Sequence, residues 1–328
     1  MAEYAKPWLS IDEKIDRLAR HGVEIEDRGR ASSVLQAVGY YRLTGYLYPF
    51  RESESYIDEE DRPRIRVLSD YRADTTLRHA EDLIDFDRRL RMLVMDGVER
   101  IEVAVRMRIG YVLGRRSPFA YEDPACFTEA FTAESTDARD PAPSRHVQWL
   151  QRVNDRKTKS DEQFVEHFRQ KYDDRMPVWA LTEILELGHL SVLYRGLHQQ
   201  DAEEIALAFG VPTKKTMTSW LASLNYVRNV AAHHSRLFNR KLQHAPARPK
   251  AGQIPVLDHL RDEVTAKGVF GTYNALAVIA YLLPSIDLDT DWAEQMAALL
   301  RGFLTSHALT IESMGAARNW ESLELWRG

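Results

Sequence analysis

The chain has 328 residues, enough to bury a substantial core as one large domain or two ordinary ones. Its apolar share of 44% and charged share of 28% are those of a globular protein, and its single cysteine, Cys126, excludes an internal disulfide and a cysteine-rich metal site. The net charge of -5 argues against a generally cationic nucleic-acid binder. Because the N-terminus has no signal-peptide pattern and no apolar run is long enough to span a bilayer, we expect a cytoplasmic protein that makes no membrane contact.

The N-terminal part is predicted to be helical around one compact turn. Ser10 and Glu13 form a capping-box pattern ahead of a first helix, which Gly22 ends, and residues 31–38 form a second, short helix. The aromatic-rich stretch GYYRLTGYLYPF that follows predicts a compact turn because it contains two glycines and a proline. The acidic stretch ESESYIDEEDRP predicts an exposed loop.

A long helix is predicted over roughly residues 75–113. Apolar residues recur there at helical spacing and mark a buried face. A charged stripe on the other side contains Arg88, Glu99, Glu102 and Arg106.

The second half of the chain also has helical patterns. Ser160 and Gln163 form another capping-box pattern, and Pro177 suits the first turn of a helix that continues through Leu187. Further helices are predicted over about 216–242, 273–283 and 292–304. Because no strand-like alternation persists, the predicted class is all-α, with segments 1–70, 71–245 and 246–328.

The helix predicted over 216–242 lies in a stretch without acidic residues. From Ile205 to Leu257 there is no Asp or Glu, a distribution that favours a polyanion-binding surface over a merely solvated basic face. The cations of this stretch include the candidate RNA-binding residues Lys214, Lys215, Arg236, Arg240 and Lys241.

The centre of that helix reads RNVAAHH and carries the candidate chemistry. At about 100° per residue, His234 shares an apolar face with Trp220 and Val227, whereas His233 shares a polar face with Asn229. His234 is therefore interpreted as a packed residue and His233 as the reactive candidate. Arg228 lies between the two faces, so only its long side chain can approach His233.

These side chains suit acid-base chemistry on a phosphodiester. Histidine titrates near physiological pH and can take a proton from a 2′-hydroxyl or give one to a leaving oxygen. Arginine stabilises the charge that develops on phosphate oxygens, and asparagine can orient the imidazole. One helix lacks a second proton-transfer group, which a two-fold dimer would supply.

Several segments resemble the Abi (abortive infection) proteins of bacterial phage defence, which are similar to the HEPN superfamily. The segments are VGYYRLTGYLYPF, DFDRRLRMLVMDGVERIEVAVR, SDEQFVEHF, PVWALTEILELGHLSVLY, RNVAAHHSRLFNR and MGAARNW, the last without a proline that the family tends to have. Arg228 and His233 match the HEPN Arg-x4-6-His motif, and His234 satisfies its five-residue version, so the motif leaves the choice of histidine open.

The resemblance implies a HEPN-like helical core over 71–245, flanked by N- and C-terminal helices. It implies a homodimer that cleaves RNA without a metal or cofactor, acts as a toxin and is held off by an RNA or protein antitoxin. Glu99, Glu102 and Arg106 match a recurrent segment of the family and are secondary candidates, as is His234; a salt-bridged surface stripe is the alternative interpretation of the first three.

Two other functions remain open from the sequence. The basic surface could hold a structured RNA without cleaving it, or the motif helix could serve only dimer assembly. A metal site is not expected, because adjacent helical histidines point about 100° apart and no acidic residue is nearby in the sequence.

Overall fold

A computed structural model describes residues 5, 7–134, 142–262, 271–306 and 308–327, and these residues are mostly α-helical. The predicted all-α class is confirmed, with one β-hairpin as the exception. The helices are α1 Ile11–Arg20, α2 Arg28–Val38, α3 Tyr40–Leu47, α4 Leu77–Gly114, α5 Glu129–Thr132, α6 Arg145–Thr158, α7 Gln163–Lys171, α8 Val178–Leu181, α9 Leu187–Gly196, α10 Gln199–Ala208, α11 Lys214–Ala232, α12 Thr272–Leu282 and α13 Trp292–Arg301. The strands are β1 Arg51–Ile57 and β2 Pro63–Tyr71.

The hairpin corrects the loop predicted for the acidic stretch. β1 and β2 pair antiparallel, with Glu54 opposite Arg66 and Ser55 opposite Ile65. Most residues of both strands are exposed, so no apolar and polar faces alternate in the sequence. Ion pairs hold the hairpin instead: Glu54 of β1 pairs with Arg66 of β2, and Asp58, just after β1, pairs with Arg64 of β2.

The predicted start of α1 is confirmed, whereas the prediction of a turn after α2 is wrong. Ser10 and Glu13 form a capping box, with Ser10 N–H donating to Glu13 Oε2 at 2.7 Å. The stretch predicted as a turn is the helix α3, which begins after Gly39 at a φ of 83°. A glycine before this helix supplies the sharp change of direction, and the glycine inside it is tolerated.

The long helix α4 is confirmed at both ends to within two residues. Leu90, Ile101 and Val105 of the predicted apolar face are fully buried, whereas Leu93 and Ala104 are half-buried, and Val94 and Val98 are buried in addition. Gly97 lies where a Cβ would come within 2.7 Å of Ile279 in α12. Helix α4 therefore packs closely against the C-terminal helices through its small residue.

The helix predicted from Pro177 through Leu187 is interrupted. α8 is one turn long and continues as a 3₁₀ turn, after which Leu185 is extended and α9 begins at Leu187. The prediction of a capping box from Ser160 and Gln163 is also wrong, because α7 begins at Gln163 without a side-chain cap. The interruption frees backbone carbonyls that an uninterrupted helix would use internally.

Helix α11 ends ten residues earlier than predicted. Its last residue is Ala232, and His234 takes a left-handed φ of 54°. His234 N–H donates to Ala231 O at 3.0 Å and Ser235 N–H to Val230 O at 3.0 Å, the Schellman arrangement of a helix C-terminus. The helical wheel therefore does not apply beyond His233, and the packed position assigned to His234 is wrong: its side chain is exposed.

The C-terminal part is fixed by a chain of buried hydrogen bonds. Trp326 Nε1–H donates to Tyr273 Oη at 2.8 Å, and Tyr273 Oη lies 3.2 Å from His259 Nε2. His259 Nδ1 lies 3.0 Å from Val256 O, so the network can be satisfied with a neutral imidazole. These bonds join three separate segments around α12.

The described contacts group the chain into two compact units. One comprises Met1–Arg89 with Leu299–Ile311, and the other Leu90–Ala298 with Glu312–Gly328. These boundaries differ from those of the three predicted segments. No helix among the described residues is long and apolar enough to cross a membrane.

Candidate functional site

Two of the three predicted catalytic residues are in direct contact near the end of α11. Arg228 Nη1–H donates to Asn229 Oδ1 at 3.2 Å, and both residues are half-buried. The amide oxygen thereby holds the guanidinium close to the last turn of the helix. The remaining donors of Arg228 keep their capacity to bind an anion.

His233 caps this helix and points its side chain outward. Its backbone N–H donates to Asn229 O at 3.0 Å, which fixes the histidine backbone one turn beyond the asparagine. The side chains of His233 and His234 are both exposed. An exposed imidazole at the carboxyl end of a helix is accessible to a substrate.

Helices α9 and α11 run antiparallel, and this sets what lies beside the second half of α11. Lys214 at the start of α11 donates to Leu197 O just after α9, whereas Gly188 at the start of α9 meets Asn225. A Cβ on Gly188 would lie 3.3 Å from Asn225 Oδ1, so the backbone passes close to that side chain. The start of α9 therefore lies beside the second half of α11.

A polar cluster lies around the start of α9 and consists of Glu102, Arg106, Arg156, Glu186 and His189. Arg106 donates through Nη2 to Glu102 Oε1 at 2.5 Å and through Nε to Leu185 O at 2.9 Å. Arg156 Nε–H donates to Ile184 O at 3.0 Å. The two arginines thus satisfy the carbonyls freed by the interruption before α9.

The secondary candidates on α4 separate into two groups. Glu102 is buried, with 6% of its surface exposed, and its pairing with Arg106 compensates the charge. Glu99 is exposed and lies on the outside of α4. Only Glu102 and Arg106 therefore belong to the polar cluster.

His189 is the ionisable residue of the cluster with an unused nitrogen. Its Nδ1 is buried and has no hydrogen-bond partner among the described residues. Burial lowers the pKa of His189, the arginines Arg156 and Arg152 lower it further, and the carboxylates Glu186 and Glu102 oppose the shift. The ring therefore favours its neutral form, which can accept a proton.

The predicted RNA-binding cations occupy different environments. Lys214 is half-buried at Leu197 O, and burial lowers its pKa. Arg240 donates to Tyr226 Oη at 2.9 Å and to Arg236 O at 3.3 Å, and its guanidinium lies 5.9 Å from the Tyr226 ring centre. Lys215 and Lys241 are exposed, and Arg236 is partly buried. The two exposed lysines are the most accessible of the five.

Sequence reasoning missed Arg156, Glu186 and His189. The available signals were Gly188 and His189, two and three residues after Glu186, and the spacing of Arg152 and Arg156 by one helical turn. Neither signal is specific without the interruption that brings these residues to Arg106. Among the described residues there is no group of three His, Cys, Asp or Glu side chains placed to hold a metal ion.

Comparison with known families gives one match over much of the chain. The model of the family described as Abi-like protein matches residues 33–239, a range that includes α3, α4, the polar cluster and RNVAAHH. Comparisons with curated proteins and with solved structures find no match. Because the family model covers more than half of the 328 residues, the chain belongs to the Abi-like protein family.

Proposed function

We propose that this protein is a metal-independent, HEPN-type endoribonuclease that acts in abortive infection, a form of phage defence. The membership in the Abi-like family supports the defence role. The observation that carries the chemistry is the contact of Arg228 with Asn229 one turn before the exposed, helix-capping His233. An anion held by Arg228 would lie near an imidazole that solvent can reach.

The proposed reaction is an attack by the RNA on its own backbone. A base takes the proton from a 2′-hydroxyl, the 2′-oxygen bonds to phosphorus, and the bond to the 5′-oxygen breaks as an acid protonates that oxygen. The products are a 2′,3′-cyclic phosphate and a free 5′-hydroxyl. Arg228 stabilises the added negative charge on the phosphate oxygens.

Such a reaction needs two proton-transfer groups, and His233 is one of them. A homodimer would bring the His233 of a second copy to the same phosphate. His189 is an imidazole within the same chain that could serve instead, since its neutral form accepts a proton. In an infected cell the enzyme would act as a toxin released from an RNA or protein antitoxin.

The test compares variants of the motif on a labelled single-stranded RNA. Arg228→Ala and His233→Ala should each lower the cleavage rate by at least about 100-fold, because each removes a group that acts in the transition state. Exposed residues of the same unit provide matched controls, Arg195→Ala and His167→Ala, which should cleave as the parent does.

Two further readouts separate this proposal from other nucleases. Cleavage should continue in EDTA, and the products should carry cyclic phosphate ends. Cleavage that is unchanged in both motif variants, or that EDTA abolishes, would contradict the proposal.

A non-catalytic RNA-binding module is the second candidate, and the absence of acidic residues over 205–257 favours it. Lys215→Glu and Lys241→Glu should then weaken RNA binding with a steep salt dependence, while His233→Ala should have little effect. Single-turnover incubation with labelled RNA distinguishes cleavage from binding. A complete lack of RNA binding at low salt would point to dimer assembly as the only role of the motif helix.

A further inference from the structure

An open pocket of about 430 Å³ lies in the N-terminal unit, within the aromatic-rich part of the chain. It is formed by the segment before α1, one face of α1 and the start of α3. Three elements thus converge on one cavity. Its lining residues are Pro7, Trp8, Leu9, Lys14, Arg17, Tyr40 and Tyr41.

The aromatic rings of this pocket are unusually exposed. Trp8 has 83% and Tyr41 79% of its surface accessible, the largest fractions of any exposed aromatic residues among those described. Tyr40 packs edge-to-face on Tyr41, with ring centres 5.9 Å apart and an angle of 81°. Exposed rings that converge on a cavity indicate a binding surface, because isolated surface aromatics would not share one pocket.

The polar groups of the pocket are cationic. Lys14 Nζ lies 5.8 Å from the centre of the Trp8 ring. Arg17 lies one turn further along α1 and is close enough to Tyr40 for its charge to act on the phenol. No acidic residue lines the pocket, and neither cation makes an ion pair with another described residue.

We propose that this pocket binds a nucleotide, with the base stacked on Trp8 or Tyr41 and the phosphate held by Lys14 and Arg17. Every nucleobase has a face that stacks on aromatic rings, and unpaired nucleotides are recognised in this way. The volume lies within the range of small-molecule sites. An apolar ligand would leave two desolvated cations without compensation.

The nucleotide can be free or part of a single-stranded RNA, since both present the same base and phosphate. This inference goes beyond the proposed ribonuclease activity and does not rest on it, because the pocket belongs to the other compact unit. A free ligand would make the pocket a sensor, and an RNA ligand would make it a second contact for the strand.

The experiment measures binding of three probes to the full-length chain by calorimetry. The probes are AMP, inorganic phosphate and a single-stranded oligo(A) ribonucleotide, the last with His233→Ala chains to prevent cleavage. At least one of Trp8→Ala and Tyr41→Ala should weaken AMP binding by about five-fold or more, the usual effect of losing one stacking partner. Lys14→Gln should weaken AMP binding as well.

Matched controls are exposed aromatic residues outside the pocket. Tyr56→Ala in the hairpin and Trp179→Ala in α8 should leave AMP binding unchanged. An oligonucleotide that binds at least ten-fold more tightly than AMP, and whose affinity the same pocket variants lower, identifies RNA as the ligand; comparable affinities identify a free nucleotide. No binding of AMP or the oligonucleotide at millimolar concentration, an AMP affinity that no pocket variant changes, or phosphate binding as tight as that of AMP would overturn the proposal.

Discussion

His234 has a backbone conformation that its side chain does not favour. The left-handed φ of 54° at the end of α11 is usually occupied by glycine, and other residues there carry strain of about 1 kcal/mol. His234 directly follows His233, the proposed reactive histidine. Its conformation therefore offers a way to separate the two histidines.

His234→Gly should raise the free energy of unfolding by up to about 1 kcal/mol, because glycine adopts this φ without strain. If His233 is the reactive histidine, the same variant should also cleave RNA at the parental rate. Urea denaturation and a cleavage assay check the two outcomes. A stable variant without cleavage would instead assign the chemistry to His234.

His189 makes stability depend on pH. Burial lowers its pKa below the ordinary value of 6.5, so the unfolded chain takes up a proton that the folded chain does not bind. The contribution of neutral His189 is complete above about pH 6.5 and is lost as the pH falls toward the lower pKa of the folded state.

His189→Gln should therefore make the loss of stability below about pH 6.5 less steep. The slopes of the free energy of unfolding against pH should differ by at most about 1.4 kcal/mol per pH unit, which corresponds to the uptake of one proton on unfolding. Urea denaturation of parent and variant at several pH values measures it. Equal slopes would show that His189 is protonated to the same extent in both states.

At the scale of elements, α4 meets the C-terminal helices through Gly97. A Cβ there would lie 2.7 Å from Ile279 Cγ2 and 2.8 Å from Trp292 Nε1. Trp292 Nε1–H also donates to Leu93 O in α4 at 2.8 Å, so this indole cannot move without losing a bond. The contact therefore requires a residue without a side chain.

Gly97→Ala should destabilise the chain by about 1–3 kcal/mol through overpacking, although alanine is the better helix former. Gly45→Ala is the matched control in α3, because a Cβ there meets nothing within 4 Å and should be neutral or slightly stabilising. Thermal unfolding of both variants tests the comparison. Equal effects of the two substitutions would contradict the close packing.

Local patterns predicted the elements whose cause is local. The Ser10 capping box and the apolar spacing of α4 depend on neighbouring residues and could be read from sequence. The interruption at Leu185 could not, because its carbonyl is satisfied by Arg106, 79 residues away in the chain. The end of α11 was missed because a histidine takes the position where glycine normally marks a helix terminus.

The candidate site divides in the same way. Arg228, Asn229 and His233 are close together in the sequence, so their spacing alone could propose them, and their role stays a prediction. His189, Glu186 and Arg156 come from two other helices, so only the tertiary structure brings them to Arg106. The assignment of the core to the HEPN superfamily stays a prediction.

For the whole molecule, the proposed chemistry predicts a dimer in solution. If the second proton-transfer group is the His233 of another copy, the active species should have twice the 37.8 kDa mass of one chain. Sedimentation analysis gives the mass, and the cleavage rate per chain should fall on dilution below the dimer dissociation constant. A monomer that keeps its full rate would assign the second role to a group within the chain, such as His189.

The hairpin affects the tendency of the protein to aggregate at high concentration. Within the described part of the chain no third strand joins β1 and β2, so their outer backbone edges are potential sites for pairing between copies. Arg64 and Arg66 of β2 are exposed and face Asp58 and Glu54. A second hairpin that added to this edge would have to desolvate those charges, which protects the protein from sheet-mediated aggregation.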